Sequence, residues 1–531
     1  MSKPYFYRFK YRTVFCLVSV CLGMLFCIVR LYEINYNTLA VNLNENTVTV
    51  DLETARGDIV DCKGRNITGA KHRYAVVFLP CNEAKRSFNK IANKEEKDIG
   101  LKKLENNYPA VLIRDKAVTD CGIYSFEISN RYGDICSLEH IIGYINSEKT
   151  GVYGLEKAYN SLLESNIQRT ASFATDAEGN FLPGAKPSIK EPDRKNKLFI
   201  TIDRQIQKIA ANAANSIQKG AVVVSEINSG KIRAMVSRPG FYANSIDESL
   251  KSSNSPLLNR ALLCFGVGSV FKPLIGAALA ENKKSDFKCF CGGKEHIVDF
   301  DFHCHKLNGH GELNMTQALA QSCNIYFYNA AKNVSADSLI STAKALQFCN
   351  RIYLANGIYA RPGNLPSTAG LKSPAALANF SIGQGEVTLS PLAITNLYSA
   401  IANNGVYYDA TLIEGTFEDN EFKPREAPQK NIPFSAAAAQ VLKQGLIECV
   451  RSGTGKTAAP ANVSAAGKTA TAQTGRYKDK KEVVNAWFCG FFPVEGPKYT
   501  VTVFVEDAAT GGSDCAPIFK EIAEKITEAG L

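Results

Sequence analysis

A chain of 531 residues is too long for one ordinary domain, and two or three are expected. Its 45% hydrophobic and 21% charged content excludes a disordered chain. The net charge of +10 is mild for this length and favours an anionic surface such as a membrane; no basic stripe interleaved with aromatics is present, so nucleic acid is not the leading partner.

Residues 13–29 read TVFCLVSVCLGMLFCIV, an uncharged apolar run of 17 at the short end of what spans a membrane. Lys3, Arg8, Lys10 and Arg12 precede it, which predicts a cytoplasmic tail over 1–12, a transmembrane anchor over 13–32 and an extracellular remainder. The next residues, Arg30-Leu31-Tyr32-Glu33, offer no small-x-small cleavage site, so an uncleaved single-pass anchor is expected rather than a removed signal. Three of the 16 cysteines lie in this run; the other 13 cannot all pair and show no disulfide framework, which suggests a reducing habitat.

Residues 33–192 have a mixed texture. The stretches 47–52 and 74–79 alternate like strands, and 85–107 is charged with helical spacing, as in an exposed helical excursion. Residues 187–197, polar with a second proline at Pro192, read as a linker. Beyond it, 198–202 reads as a strand, 204–218 as a helix, and 221–227 with 231–236 as a hairpin about Asn228-Ser229-Gly230. Late strands follow at 465–474, 485–492 and 500–506, then a helix with Ile518, Phe519, Ile522 and Ile526 on one face. The layout is α/β, a sheet of strands distant in sequence with a helical cluster between them.

Three short polar motifs stand in order on this layout. Ser269-Val270-Phe271-Lys272 is S-x-x-K, preceded by Gly266 and Gly268. Glycines let the chain turn sharply into a helix start, where backbone N–H groups face a developing oxyanion. Lys272 is one turn on, and a lysine partly buried beside polar partners loses basicity and serves as a base. Ser322-Cys323-Asn324 is S-x-N, in the loop after a helical 316–320; its hydroxyl can pass a proton and its amide can bind a substrate amide. Lys468-Thr469-Ala470-Thr471, a near match to K-T-G, lies on a β-rich stretch. A cation and hydroxyls on a strand edge suit a carboxylate, and an extended substrate can pair with such an edge. Singly, each motif also fits a surface serine and lysine, a helix cap or an ordinary exposed strand. Together and in this order they point to an acyl-serine enzyme of the penicillin-binding and β-lactamase kind.

With Arg56-Gly57-Asp58-Ile59-Val60-Asp61, Gly151-Val152-Tyr153-Gly154-Leu155-Glu156-Lys157, 220–224, Ser381-Ile382-Gly383-Gln384-Gly385 and Trp487-Phe488-Cys489-Gly490-Phe491-Phe492-Pro493, the chain from about residue 50 resembles a class B penicillin-binding protein. Such a protein is a monofunctional peptidoglycan DD-transpeptidase of the division or elongation type. The resemblance implies a penicillin-binding/β-lactamase-like transpeptidase domain over 193–531, an antiparallel sheet flanked by helices plus a helical subdomain. It implies an elongated mixed α+β pedestal over 33–192. By the same resemblance Ser269 is acylated, Lys272 is the base, and Ser322 and Asn324 complete the relay. Lys468, Thr469 and Thr471 hold the terminal carboxylate, and the N–H groups of Ser269 and Thr471 form the oxyanion hole. The substrate is a D-Ala-D-Ala stem peptide, β-lactams are covalent inhibitors, no cofactor is needed, and a polytopic membrane glycosyltransferase is the expected partner. A β-lactamase or β-lactam sensor is disfavoured by the long pedestal, and an inactive scaffold by the intact motif residues. Ala470 stands where the family has glycine, so crowding of a ligand on the strand edge and altered β-lactam affinity are expected.

Two other clusters compete for attention. Ser452-Gly453-Thr454-Gly455-Lys456-Thr457 suggests a phosphate-binding loop, but Val450 stands where the first glycine is required. Cys289, Cys291, His296, His303, Cys304, His305 and His310 have the density of a zinc site. Cys291-Gly292-Gly293, a cysteine near 304 and His310-Gly311 resemble the family's own pattern. A Cys291–Cys304 disulfide or free thiols are therefore expected, and no functional metal.

Overall fold

The structure, a computed structural model, describes residues 5–38, 47–53, 56–164, 168–176, 178–182, 184–191, 196–243 and 246–531. Pro192 and the first four residues of the expected tail, Lys3 among them, lie outside the described residues. Contacts divide the chain into one unit of Met1–Thr54, Arg73–Ile128 and Ile167–Pro192 and another of Ala55–His72, Ser129–Asn166 and Asp193–Leu531. The second unit thus takes in two stretches from the region read as pedestal.

In the first unit a helix runs over Tyr5–Thr38. Within it Arg12–Glu33 has a mean hydropathy of 2.5 and no buried residue. Its 22 residues reach about 33 Å, enough to cross a bilayer core. The same unit holds residues 73–78 of the strand Lys71–Phe78, which is central in a three-stranded sheet. Side chains alternate across a strand. Val76 and Phe78 therefore pack on Phe88 and Leu104, while Ala75 and Val77 pack on Leu52, Phe126 and Phe173. The helical excursion is two helices, Asn82–Ile91 and Lys94–Glu105, the second started by a capping box between Asn93 and Glu96.

The second unit is built on a five-stranded antiparallel sheet in the order Ile232–Arg238, Gly220–Glu226, Tyr499–Ala508, Lys481–Phe492, Ala466–Lys478. The apolar run Ala221-Val222-Val223-Val224 fits a strand buried on both faces. Val222 and Val224 pack with Ile518, Phe519 and Ile522 of the terminal helix, while Ala221 and Val223 join the core of the helical cluster. Helix Lys272–Glu281 is buried over 272–279, and Pro391–Ala402 over its whole length, because both are apolar all round. Strand Lys197–Ile200 belongs to a second, four-stranded sheet, beside Asp58–Val60 and Ile413–Glu418.

Two of the family-like stretches meet in this unit. Arg56 Nε donates to Glu156 Oε2 at 2.7 Å, and Arg131 Nε to Glu156 Oε1 at 2.5 Å. Burial alone would raise the Glu156 carboxyl, but the charges and hydrogen bonds of Arg131 and Arg56 outweigh it and hold the group below its usual range.

Candidate active site

Ser269 lies on a 3-10 turn, Gly268–Phe271, that runs straight into helix Lys272–Glu281. Gly268 starts the turn at φ +61°, where any Cβ would sit 3.1 Å from the Thr471 carbonyl oxygen. A glycine is therefore needed twice, for the left-handed backbone and for the close approach of the Ala466–Lys478 strand. Gly268 N donates to Gly383 O at 2.9 Å, and Trp487 Nε1 to Gly266 O at 2.9 Å. The Ser381–Gly385 and Trp487 stretches thus both brace the serine turn.

Lys272 is fully buried. Its Nζ donates to Ser322 O at 2.7 Å, Ser322 Oγ at 3.2 Å and Asn324 Oδ1 at 2.7 Å. Ser322 Oγ in turn donates to Ser269 Oγ at 3.2 Å, so the S-x-N serine stands between the first serine and the lysine. Burial, with the charge of Lys468 nearby, pulls the Lys272 ammonium down to about 7. Ser322 holds φ +54°, and Asn324 opens helix Asn324–Lys332 with Cys323 as its cap.

Lys468 and Thr469 are buried and Thr471 is exposed on the Ala466–Lys478 strand. That strand is an edge of the main sheet, so among the described residues one side of its backbone has no ladder partner. Thr471 Oγ1 accepts from Gly511 N at 3.3 Å. The Ala470 methyl is 3% exposed and sits among the side chains of the helical core. Burial lowers the Lys468 ammonium from its ordinary value.

All seven residues singled out in the sequence lie in this second unit, the two lysines close enough for the charge of Lys468 to lower Lys272. One neighbour escaped the sequence reading. Thr454 Oγ1 accepts from Lys468 Nζ at 3.3 Å and from Thr469 Oγ1 at 3.2 Å. Its signal was the Ser452–Thr457 run, set aside as a failed phosphate loop. Thr454 N donates to Ala320 O at 3.1 Å, which fixes that run beside the S-x-N loop.

The penicillin binding protein transpeptidase domain model matches residues 220–524. The chain belongs to the penicillin-binding protein transpeptidase family. It is 28% identical over 402 residues to the peptidoglycan D,D-transpeptidase MrdA of Acinetobacter baumannii, covering 70% of this chain and 59% of that one. It is 26% identical over 442 residues to the stage V sporulation protein D of Bacillus subtilis, covering 78% and 67%. The chain thus spans about three-fifths of the MrdA sequences it matches, 59% in Acinetobacter and 63% in Haemophilus influenzae. Among solved structures, penicillin-binding protein PBP2 of Helicobacter pylori aligns with a TM-score of 0.71 at 22% identity, over 91% of this chain and all of that one, and establishes the shared fold.

Proposed function

We propose that this penicillin-binding protein is a peptidoglycan DD-transpeptidase working through an acyl-serine at Ser269, with β-lactams as covalent inhibitors. The observation that carries the reading is the buried Lys272, drawn down to about 7 and linked through Ser322 to Ser269. At neutral pH a large share of such a lysine is uncharged, so it can take a proton.

In acylation Ser269 Oγ attacks the carbonyl between the two terminal D-alanines of a stem peptide, and its proton passes to Lys272. The tetrahedral oxyanion is held by the N–H groups of Ser269 and Thr471. Collapse breaks the peptide bond, and Ser322 carries the proton from Lys272 to the leaving D-alanine nitrogen. Asn324 orients the lysine and the substrate amide. The amine of a second stem then attacks the ester, gives up its proton by the same route and frees Ser269. Lys468, Thr469 and Thr471 hold the terminal carboxylate, which positions the bond over Ser269. No cofactor takes part in these steps.

The division we propose is a tail over 1–12, an anchor over 13–32, a pedestal over 33–192 and a transpeptidase domain over 193–531. The tail is cytoplasmic and the rest beyond the membrane, as the basic flank favours. A polytopic membrane glycosyltransferase is the partner, docked on the span, where Ser19 and Gly23 lie four apart and permit close helix packing. Labelling the full chain with a fluorescent penicillin and mapping the modified peptide tests the chemistry. Ser269→Ala should abolish the label, and a label that persists at Ser322 would refute the assignment. Replacing the span with an unrelated apolar helix should keep the label and reduce wall synthesis in cells. Undiminished wall synthesis would make the span a mere tether.

A further inference from the structure

Helix Pro391–Ala402 carries three hydroxyl side chains, Thr395, Tyr398 and Ser399, into the core, and all three are buried. A buried hydroxyl left unpaired is costly, so each needs a defined partner. Two of them meet the strand Tyr499–Ala508. Thr395 Oγ1 lies 2.7 Å from Thr502 Oγ1, and Ser399 Oγ donates to Thr500 Oγ1 at 3.0 Å. Helix positions four apart are about 6 Å along the axis and strand positions two apart about 6.8 Å, so the two pairs match. A slip of the helix along the sheet would unpair both at once. The lengthwise position of the helix is therefore fixed.

The third hydroxyl points to the serine turn. Tyr398 donates through its OH to Val270 O at 3.2 Å, and both residues are fully buried. Val270 is the second residue of S-x-x-K. In a 3-10 turn a carbonyl takes the N–H three residues on, as Ser269 O takes that of Lys272. The next rung would run from residue 273 to Val270 O, but Pro273 has no N–H. The 3-10 ladder therefore stops short of the Val270 carbonyl, and Tyr398 supplies a hydrogen there instead. Burial pushes the Tyr398 phenol well above its ordinary value, so it keeps that hydrogen at neutral and mildly alkaline pH.

We propose that Tyr398 is a positioning residue for acylation, its hydroxyl pinning the junction between the serine turn and helix Lys272–Glu281 so that Ser269 and Lys272 stay aligned on Ser322. The proposal rests on the acyl-serine reading above. Tyr398 touches no substrate. It acts on the peptide that joins Ser269-Val270 to Phe271-Lys272, and turning that peptide moves the serine and the lysine relative to each other. Ser322 Oγ is 3.2 Å from both Ser269 Oγ and Lys272 Nζ. These bonds are already long, so a small shift breaks the relay. Gly383 and Trp487 brace residues ahead of Ser269, at Gly268 and Gly266, whereas Tyr398 braces the stretch after it. The hydroxyl pairs at Thr395 and Ser399 hold the helix from which Tyr398 reaches.

The test measures penicillin acylation of the full chain in detergent against drug concentration, at a temperature below the unfolding midpoint of every variant. Tyr398→Phe keeps the ring and removes the hydroxyl. Its limiting rate should fall about tenfold, with the apparent affinity changed less than about twofold. Pro273→Ala restores an N–H at the next rung. Alone it should leave the rate close to wild type. Combined with Tyr398→Phe it should return most of the lost rate, a rescue that a mere loss of packing would not give. Glu156→Ala, which breaks the pairing with Arg56 and Arg131 and no bond of the turn, should keep the wild-type limiting rate. An unchanged limiting rate in Tyr398→Phe, a loss confined to apparent affinity, an equal loss in Glu156→Ala, or a double variant no faster than Tyr398→Phe would each overturn the proposal. Should Tyr398→Phe not fold, the double variant decides: with the rung restored it should fold and acylate near the wild-type rate, and its failure to do so would also overturn the proposal. Wild type that takes no label at Ser269 would instead overturn the acyl-serine reading itself, so the two failures are distinct.

Discussion

The Lys468 ammonium lies 3.3 Å from the Thr454 hydroxyl, which also accepts the Thr469 hydroxyl at 3.2 Å. One threonine from outside the three motifs thus anchors two groups of the proposed carboxylate clamp. Thr454→Val keeps the shape and removes the acceptor. A hydrogen bond to a charged group is worth about 1.5–3 kcal/mol, so binding of carboxylate-bearing β-lactams should weaken about 10- to 150-fold. The dependence of labelling rate on drug concentration should show this in the apparent affinity, with the limiting rate little changed. A loss confined to the limiting rate would place Thr454 in the chemistry instead.

The two buried lysines give acylation a pH profile. Lys272 must be uncharged to act, so the rate should climb as pH rises through about 7 and then level. Lys468 must stay charged to bind carboxylate, and burial lowers its ammonium, so a falling limb should begin below the ordinary lysine range. Lys468→Ala should remove the falling limb and move the rising one to higher pH, because the charge of Lys468 is part of what lowers Lys272. Lys272→Ala should cut the plateau rate by about 10²–10⁴-fold and abolish the rising limb. A rising limb unaltered in Lys272→Ala would assign the base elsewhere.

Glu156 tests the frame rather than the chemistry. Removing it strands Arg56 and Arg131, and breaking a buried pair this way costs about 3–5 kcal/mol. Glu156→Ala should lower the unfolding midpoint sharply while the penicillin label still goes to Ser269 in folded protein. Because the folded carboxyl is held below its unfolded value, its contribution is present at neutral pH and lost on acidification. Wild type should therefore lose more stability than Glu156→Ala as pH falls.

The Ala470 methyl is packed in the helical core, and this gives a different expectation from crowding of the ligand. Ala470→Gly should leave β-lactam acylation within about twofold and cost about 0.5–1 kcal/mol in stability, the entropy of a glycine in a strand. A large gain in β-lactam reactivity would show that the methyl does face the ligand.

The order of the three motifs made the cluster legible, since Ser269, Lys272, Ser322 and Asn324 do meet in one hydrogen-bonded group. The apolar run 221–224 and the alternation at 74–79 likewise announced strands, because burial writes its period into sequence. Thr454 was hidden because a glycine-rich turn looks alike whether it cradles phosphate or presents one hydroxyl. Cys323 was read only as the middle letter of S-x-N. Its sulfur lies within 4.8 Å of donor atoms of Cys291, Cys304 and His310, a grouping that only the folded chain brings about. The union of Arg56 with Glu156 was invisible for the same reason: a buried ion pair across 100 positions leaves no local pattern.

An open sheet edge that can receive a stem peptide can equally receive the same edge of a second molecule. The Ala466–Lys478 strand ends in an exposed hairpin tip bearing Arg476, Lys478, Lys480 and Lys481. A second copy pairing on the edge near this tip would have to approach its lysines, and such charge disfavours edge-to-edge pairing there. The same lysines would draw an anionic polymer toward the edge, while Arg476 is already paired with Asp507 at 2.8 Å.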